Sequence, residues 1–85
     1  MKEIKYVIVD PLGIHARPAG LLVKKAGEFA SAITIDNGAK KADAKRIMAV
    51  MSMGIKQGQE ITVTVEGADE DAAAAAIETF LKENV

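Results

Sequence analysis

The sequence contains no cysteine and no tryptophan, and its aromatic residues are limited to Tyr6, Phe29 and Phe80. Without cysteine the chain cannot form disulfides, use a thiol as a nucleophile or bind a metal through thiolates. His15 is the single histidine, and one imidazole argues against a zinc site built from the protein alone. We therefore expect neither a metal nor a cofactor.

An excess of charge of either sign is also missing. Lys and Arg together number 11, Asp and Glu number 12, and the net charge is −1. A chain so balanced lacks the positive surface of a nucleic-acid-binding protein. No apolar run approaches the length of a membrane span, and the first residues are too charged for a secretory signal. We expect a cytoplasmic protein that binds no nucleic acid and does not insert into membranes.

Hydrophobic residues make up 49% of the 85 residues, which is enough to fold one small domain over residues 1–85. Apolar–polar alternation predicts strands, apolar positions at helical spacing predict helices, and Asn37-Gly38 predicts a tight turn. The predicted strands are 3–9, 32–36, 40–43 and 60–66, and the predicted helices are 16–27, 47–53 and a third that follows an N-cap at Asp69 and ends near Lys82.

The resulting order, β-α-β-β-α-β-α, predicts an α+β fold. Its antiparallel sheet should have one wet face and one face covered by helices. Asp69 is a good N-cap because its carboxylate can accept a bond from a first-turn N–H. We interpret Ser31 and Ser52 as ordinary surface serines, and Lys25 and Lys45 as ordinary solvated charges.

The most informative stretch is Gly13-Ile14-His15-Ala16-Arg17-Pro18-Ala19. Proline is tolerated in the first turn of a helix because its missing N–H would have no partner there, so a helix should begin just after His15. Free N–H groups and the helix dipole favour an anion at that point. His15, the guanidinium of Arg17 and the amides of Ala16 and Arg17 therefore describe a place to hold a phosphoryl group on an imidazole nitrogen.

Each of these residues also has a plainer interpretation. A lone histidine before a helix is usually a polar loop residue, and a lone arginine in a first turn is usually a solvated charge. The combination of His15 with Arg17 and Pro18 is what favours the phosphate site. An enzyme with His15 as general base is a weaker alternative, because no carboxylate or second nucleophile is placed to complete a site.

The segment around the second predicted helix is rich in methionine. Met48, Met51 and Met53 are by default core residues, but a short helix cannot bury all three on one face with its other apolar residues. We expect Met48 and Met51, with Ile47, to form an exposed apolar surface on which partner proteins dock. Lys24 is expected to help steer acidic partners.

Two motifs together resemble the HPr family, the histidine-containing phosphocarriers of the bacterial sugar phosphotransferase system. The stretch from Gly13 to Ala19 is similar to that family's active-site signature. The block Ile47-Met48-Ala49-Val50-Met51-Ser52-Met53-Gly54 is similar to the segment that follows its regulatory serine. The resemblance covers the whole chain in length and element order. It implies an open-faced β-sandwich, in which a four-stranded antiparallel sheet carries three helices on one face.

The resemblance also implies a function. His15 would accept a phosphoryl group through Nδ1 from phosphorylated Enzyme I and pass it to sugar-specific Enzyme IIA components for sugar uptake. Arg17 matches the arginine that lies beside the phosphohistidine in that family. Such a protein is a phosphoryl carrier and not a stand-alone enzyme, and we expect a monomer.

One position departs from the family pattern. Arg46 stands where the family typically has a serine that caps the second helix, and HPr kinase/phosphorylase phosphorylates that serine in many Gram-positive relatives. Arginine cannot accept this phosphate, so we expect no serine-linked regulation and no modification by the kinase. A purely regulatory protein of the same fold is a further alternative. The regulatory paralogues, however, lack the histidine and keep the serine, which is the reverse of this chain.

Overall fold

A computed structural model of the chain describes residues 1–85 and confirms the predicted order of elements. The four strands form one antiparallel sheet in the order β1-β4-β2-β3. The predicted α+β fold is therefore correct. The strands are β1 (Lys2–Val7), β2 (Ala32–Asp36), β3 (Lys41–Asp43) and β4 (Glu60–Glu66), and the helices are α1 (Ala16–Gly27), α2 (Ile47–Ser52) and α3 (Glu70–Asn84).

The core lies between one face of the sheet and the helices. Alternate residues of β4 point into it, so Ile61, Val63 and Val65 are buried while Thr62 and Thr64 keep partial exposure on the other face. All the buried hydrophobic side chains belong to one cluster. The main helix contributions to it are Ala19, Leu22 and Ala26 of α1, Val50 of α2, and Ala73, Ile77, Phe80 and Leu81 of α3. No helix of the chain combines the length and the apolar character that a membrane span requires.

The first strand ends two residues earlier than predicted, and the chain changes partners at Val9, after Ile8 has bonded to Gln59 and Gly58. The N–H groups of Val9 and Asp10 donate to the main-chain oxygen of Val85, at 2.7 and 2.9 Å. The third helix continues to Asn84, whose side-chain amide donates to the carbonyl of Phe80 at 3.0 Å. The end of α3 therefore holds the chain that leads from β1 toward the histidine.

Three expectations about side chains outside the site were wrong, and the first two concern Ser31 and Asp69. Ser31 is fully buried. Asp69 precedes α3, but its carboxylate makes no capping bond. It accepts instead from the N–H of Ala30 at 2.8 Å, from the N–H of Ser31 at 2.9 Å and from the Ser31 hydroxyl. The chain passes so close at Gly67 that a Cβ there would lie 2.7 Å from Ser31. Asp69 thus joins the start of α3 to the start of β2.

The third wrong expectation concerns Lys45, which is not a freely solvated charge. Its ammonium donates to the carbonyl of Phe29 at 2.8 Å, and the side chain is partly buried. Phe29 lies just beyond the end of α1, and Lys45 lies just before α2. The lysine therefore connects the two helices that flank the predicted docking surface.

Asp69 gives a prediction about stability in acid. Hydrogen bonds to the Asp69 carboxylate hold its pKa below the usual value. The bond from the Ser31 hydroxyl has the largest effect, and the bond from the Ala30 N–H has the next largest. A carboxyl group whose folded-state pKa is lowered stabilises the fold above its unfolded pKa, about 3.9, and that stabilisation is lost as the pH falls through the folded-state pKa. Asp69→Asn should therefore destabilise the fold at neutral pH, and the difference from wild type should shrink below about pH 4. Chemical denaturation at a series of pH values measures this difference.

Asp71→Asn is the matched control, because the exposed Asp71 side chain pairs only with the exposed Lys2, at 3.0 Å. Exposed pairs contribute little to stability, so this variant should behave nearly as wild type at every pH. An equal loss of stability in both variants, or a loss in Asp69→Asn that does not change with pH, would contradict the role assigned to Asp69.

Candidate functional site

The loop that carries the histidine is folded back on itself by Asp10. The Asp10 carboxylate accepts from the N–H of Leu12 at 2.8 Å, and the Asp10 carbonyl accepts from the N–H of Gly13 at 2.9 Å. A carboxylate that accepts from the residue two positions on is a common way to stabilise a tight turn. The turn directs the chain away from β1 and into α1.

Gly13 is required in this loop for two independent reasons. Its φ of +66° lies in the left-handed region that other residues rarely adopt. A Cβ at this position would lie 2.2 Å from the carbonyl oxygen of Ile55. The next residue, Ile14, is buried and donates its N–H to that same oxygen at 3.2 Å. The loop is therefore packed directly against the main chain that follows α2.

His15 occupies the N-cap position of α1, where the sequence predicts it. Its backbone is extended, with φ −94° and ψ −172°, and its carbonyl accepts the N–H of Ala19 at 2.9 Å. The imidazole makes no capping bond to the helix, and the residue is half-buried. A histidine in this position is fixed through its backbone while its ring nitrogens stay available for chemistry.

The first turn of α1 offers donors around the histidine. The N–H groups of Ala16 and Arg17 donate to no other group of the chain, and Pro18 has no N–H. Pro18 and Ala19 are buried, whereas Arg17 is exposed and forms no ion pair. Two unpaired amides and the exposed, unpaired guanidinium of Arg17 lie at a helix N-terminus. Such groups are suited to bind the oxygens of a phosphoryl group.

The histidine lies on an open surface. None of the five surface cavities of the chain is lined by His15, Ala16 or Arg17. Phosphoryl transfer depends mainly on positioning and on stabilisation of charge. An open surface around His15 can offer a phosphoryl group few donors besides the first-turn amides and Arg17.

The structure places the predicted docking residues of α2 at the surface. The side chain of Met48 is 76% exposed, and Ile47 and Met51 are about two-fifths exposed. We call these three residues the methionine patch. Val50 and Met53 point the other way and are buried.

The methionine patch adjoins α1. Ile47 lies against that helix at Gly20, where a Cβ would be 3.7 Å from Ile47 Cδ1. Lys24 is exposed one turn further along α1. The sequence did not single out Leu12, three residues before His15 and 71% exposed, or Leu21, which is 45% exposed. Leu21 lies outside the buried face of α1 that Ala19, Leu22 and Ala26 form, and a leucine outside that face is the signal that could have identified it.

Arg46 precedes α2 with the extended backbone of an N-cap, φ −120° and ψ 110°, but its side chain caps nothing. Its Nε lies 3.9 Å from a carboxylate oxygen of Asp43, and both side chains are exposed. The other Asp43 oxygen accepts from the N–H of Lys45 at 2.9 Å. No side chain therefore caps the first turn of α2.

Comparisons with known proteins agree on one family. Residues 2–83 match a family model described as the PTS HPr component phosphorylation site. The phosphocarrier protein HPr of Lysinibacillus sphaericus is 51% identical over 83 residues, which are 98% of this chain and 94% of that protein. A solved histidine-containing phosphocarrier protein, described in connection with the divergence of Mycoplasma from Gram-positive bacteria, is 43% identical. Its TM-score is 0.94, and the match covers 96% of this chain and 93% of that one.

HPr of Thermoanaerobacter tengcongensis is also similar in structure. One solved form is 40% identical with a TM-score of 0.92, and the match covers 98% of this chain and 93% of that one. A second solved form, described as an HPr dimer, has a TM-score of 0.77 and the same identity, with 98% and 95% of the two chains covered. These matches extend over nearly the whole of each protein.

Proposed function

The chain belongs to the HPr family of the phosphotransferase system, whose members are phosphocarrier proteins and not stand-alone enzymes, and on that premise we propose that His15 carries the phosphoryl group. The observation that supports this most is the placement of His15. It is the N-cap of α1, its imidazole makes no capping bond, and the amides of Ala16 and Arg17 have no partner in the chain. We take residues 1–85 as one domain that acts in the cytoplasm.

The proposed reaction is a pair of direct transfers. The Nδ1 lone pair of His15 attacks the phosphorus carried by phosphorylated Enzyme I, and the N–P bond forms as the bond between phosphorus and Enzyme I breaks. The second transfer runs in the same way, with a group of an Enzyme IIA component attacking and His15 leaving. Imidazole suits both steps, because it is a nucleophile near neutral pH and a good leaving group once phosphorylated.

Arg17 and the first-turn amides stabilise charge on the moving group. The N–H groups of Ala16 and Arg17 are free to donate to phosphoryl oxygens, and the Arg17 guanidinium is free of other ion pairs. A carrier must also release the phosphoryl group that it has accepted. An open site with few fixed donors binds the phosphoryl group without holding it too firmly, and each partner completes the surroundings of the transition state.

His15→Ala tests the acceptor directly. Incubated with Enzyme I and phosphoenolpyruvate, the wild-type chain should gain one acid-labile phosphate by mass, and the variant should gain none. Circular dichroism should show an unchanged fold, since the half-buried His15 ring makes no hydrogen bond in the helix cap. An acid-labile phosphate on the variant would place the acceptor elsewhere.

The methionine patch is the surface on which we propose that both partners dock. A flexible, polarisable methionine surface can adapt to proteins of different shape, and Lys24 adds a positive charge beside it that steers acidic partners. We propose that the chain binds both partners as a monomer, since a partner can dock only on a patch that no second copy covers. Sedimentation analysis tests that state, given that one relative also forms a dimer.

Met48→Glu should weaken binding to Enzyme I and to Enzyme IIA together, by about tenfold or more, because both would have to bury a carboxylate at a shared contact. Titration calorimetry with each partner measures the two affinities. Ala72→Glu places the same charge on an exposed position of α3 and should bind both partners normally. Normal binding by Met48→Glu would place the docking surface elsewhere.

Arg46 leads us to propose that HPr kinase/phosphorylase does not modify the chain. Incubation with that kinase and ATP should add no acid-stable phosphate to wild type, whereas Arg46→Ser supplies an acceptor hydroxyl at the matching position. The variant should also be more stable by about 0.5–1 kcal/mol, since serine caps a helix and arginine does not. Acid-stable phosphate on wild type, for example on Ser31 or Ser52, would overturn the proposal, although Ser31 is fully buried.

A further inference from the structure

Few interactions within the docking helix α2 stabilise it or fix its position. It contains six residues, far fewer than the roughly 12 that an isolated helix needs for marginal stability. Its first turn has neither a side-chain cap nor an acidic residue. Val50 is its one buried residue, and α1 and β3 are the elements that it contacts most. The position of the methionine patch therefore depends on bonds made from outside the helix.

Two such bonds exist, one on each side of α2. At the start, Lys45 donates to the carbonyl of Phe29, as described above. At the end, the side-chain amide of Asn37 donates to the carbonyl of Met53 at 3.3 Å. Gly54 follows with a φ of +62°, which terminates the helix. The Ser52 hydroxyl also donates to a carbonyl in the last turn, that of Ala49 at 2.8 Å, but Ser52 belongs to α2 itself. Asn37 is thus the one side chain from outside α2 that bonds to a carbonyl at this end.

Asn37 performs this role from the turn between β2 and β3. Its side-chain oxygen accepts from the N–H of Ala39 at 3.0 Å and of Lys40 at 2.8 Å. Its main-chain N–H donates to the carbonyl of Lys40 at 3.1 Å. The side-chain oxygen of Asn37 therefore orders the turn between β2 and β3, and its side-chain nitrogen holds the end of α2. The half-buried Asn37 amide thus links the sheet to the docking surface.

We propose that Asn37 is a positioning residue for partner docking: its Nδ2 donation to Met53 fixes the end of α2 and so sets the fraction of molecules whose methionine patch is ready to bind. This inference rests on the proposed docking function of that patch. When only part of a population is competent to bind, the apparent dissociation constant rises in inverse proportion to the competent fraction. Asn37 acts mainly on binding, because the loop carrying His15 is held at the buried Ile55, through contacts with Gly13 and Ile14 in which Asn37 takes no part.

Asn37→Asp is the most informative variant, because aspartate keeps the oxygen that orders the turn and loses the donor to Met53. Asn37→Ser removes the donor without adding charge, and its hydroxyl can still accept from the turn. Both variants should raise the dissociation constant for Enzyme I by up to about fivefold. Losing one ordinary hydrogen bond lowers the equilibrium constant for the competent form about fivefold, and the competent fraction falls by no more than that. The rate of phosphoryl acceptance at saturating Enzyme I should stay within about twofold of wild type.

Two controls separate positioning from other effects. Ala39→Asp adds the same charge to the same exposed turn and keeps the Asn37 amide. Asp69→Asn lowers global stability at a distant place. Both controls should bind Enzyme I normally. Hydrogen exchange should be faster in α2 of the two Asn37 variants, while protection of β4 is unchanged.

The outcomes distinguish the inference from the docking function on which it rests. Weakened binding by Met48→Glu with normal binding by both Asn37 variants would overturn the role of Asn37 alone. So would equal weakening in Asn37→Asp and Ala39→Asp with normal binding by Asn37→Ser, because charge would then be the cause. Normal binding by Met48→Glu would overturn the docking function, and the inference with it.

Discussion

The close approach of Gly13 to the main chain of Ile55 is the contact on which the arrangement of the site depends. The Ile55 carbonyl lies where a side chain at Gly13 would be, and it accepts the N–H of Ile14. His15 follows Ile14 directly, and Ile55 follows the end of α2 by three residues. One carbonyl therefore holds the segment that carries the proposed phosphoryl acceptor against the segment that follows the methionine patch. The packing of Ile47 on α1 at Gly20 is a second link between the two segments.

The proposed function requires a small chain to serve several partners, and the same arrangement suits this requirement. Beside His15 lie two free amides and an unpaired guanidinium, and no cavity encloses the histidine. The α2 side has an exposed, adaptable apolar surface. In the proposed reaction each partner brings its own groups to complete the transition state. Modest stabilisation of the phosphoryl group is then an advantage, because a carrier has to pass the group on.

The fold could be predicted from the sequence because its signals are local. The alternation in β4, the Asn37-Gly38 turn and the helix start before Pro18 all depend on neighbouring residues, and the motif around His15 is contained in one short stretch. What could not be predicted depends on contacts between distant segments. Ser31 is buried because the Asp69 carboxylate, 38 residues away, satisfies its N–H and its hydroxyl. Lys45 and Asn37 bond to carbonyls 16 residues away, and nothing in their local pattern distinguishes them from surface residues.

The most direct test of this account is the rate at which Gly13→Ala accepts a phosphoryl group from phosphorylated Enzyme I in a single turnover. A methyl group at Gly13 would meet the Ile55 carbonyl, whereas Gly58, also at positive φ, has open space around it. Gly58→Ala thus reproduces the backbone strain, about 1–2 kcal/mol, without the collision. We expect Gly13→Ala to be at least about tenfold slower than Gly58→Ala, with the sheet and α3 intact. Equal rates in the two variants would contradict the claim that this contact holds the site together.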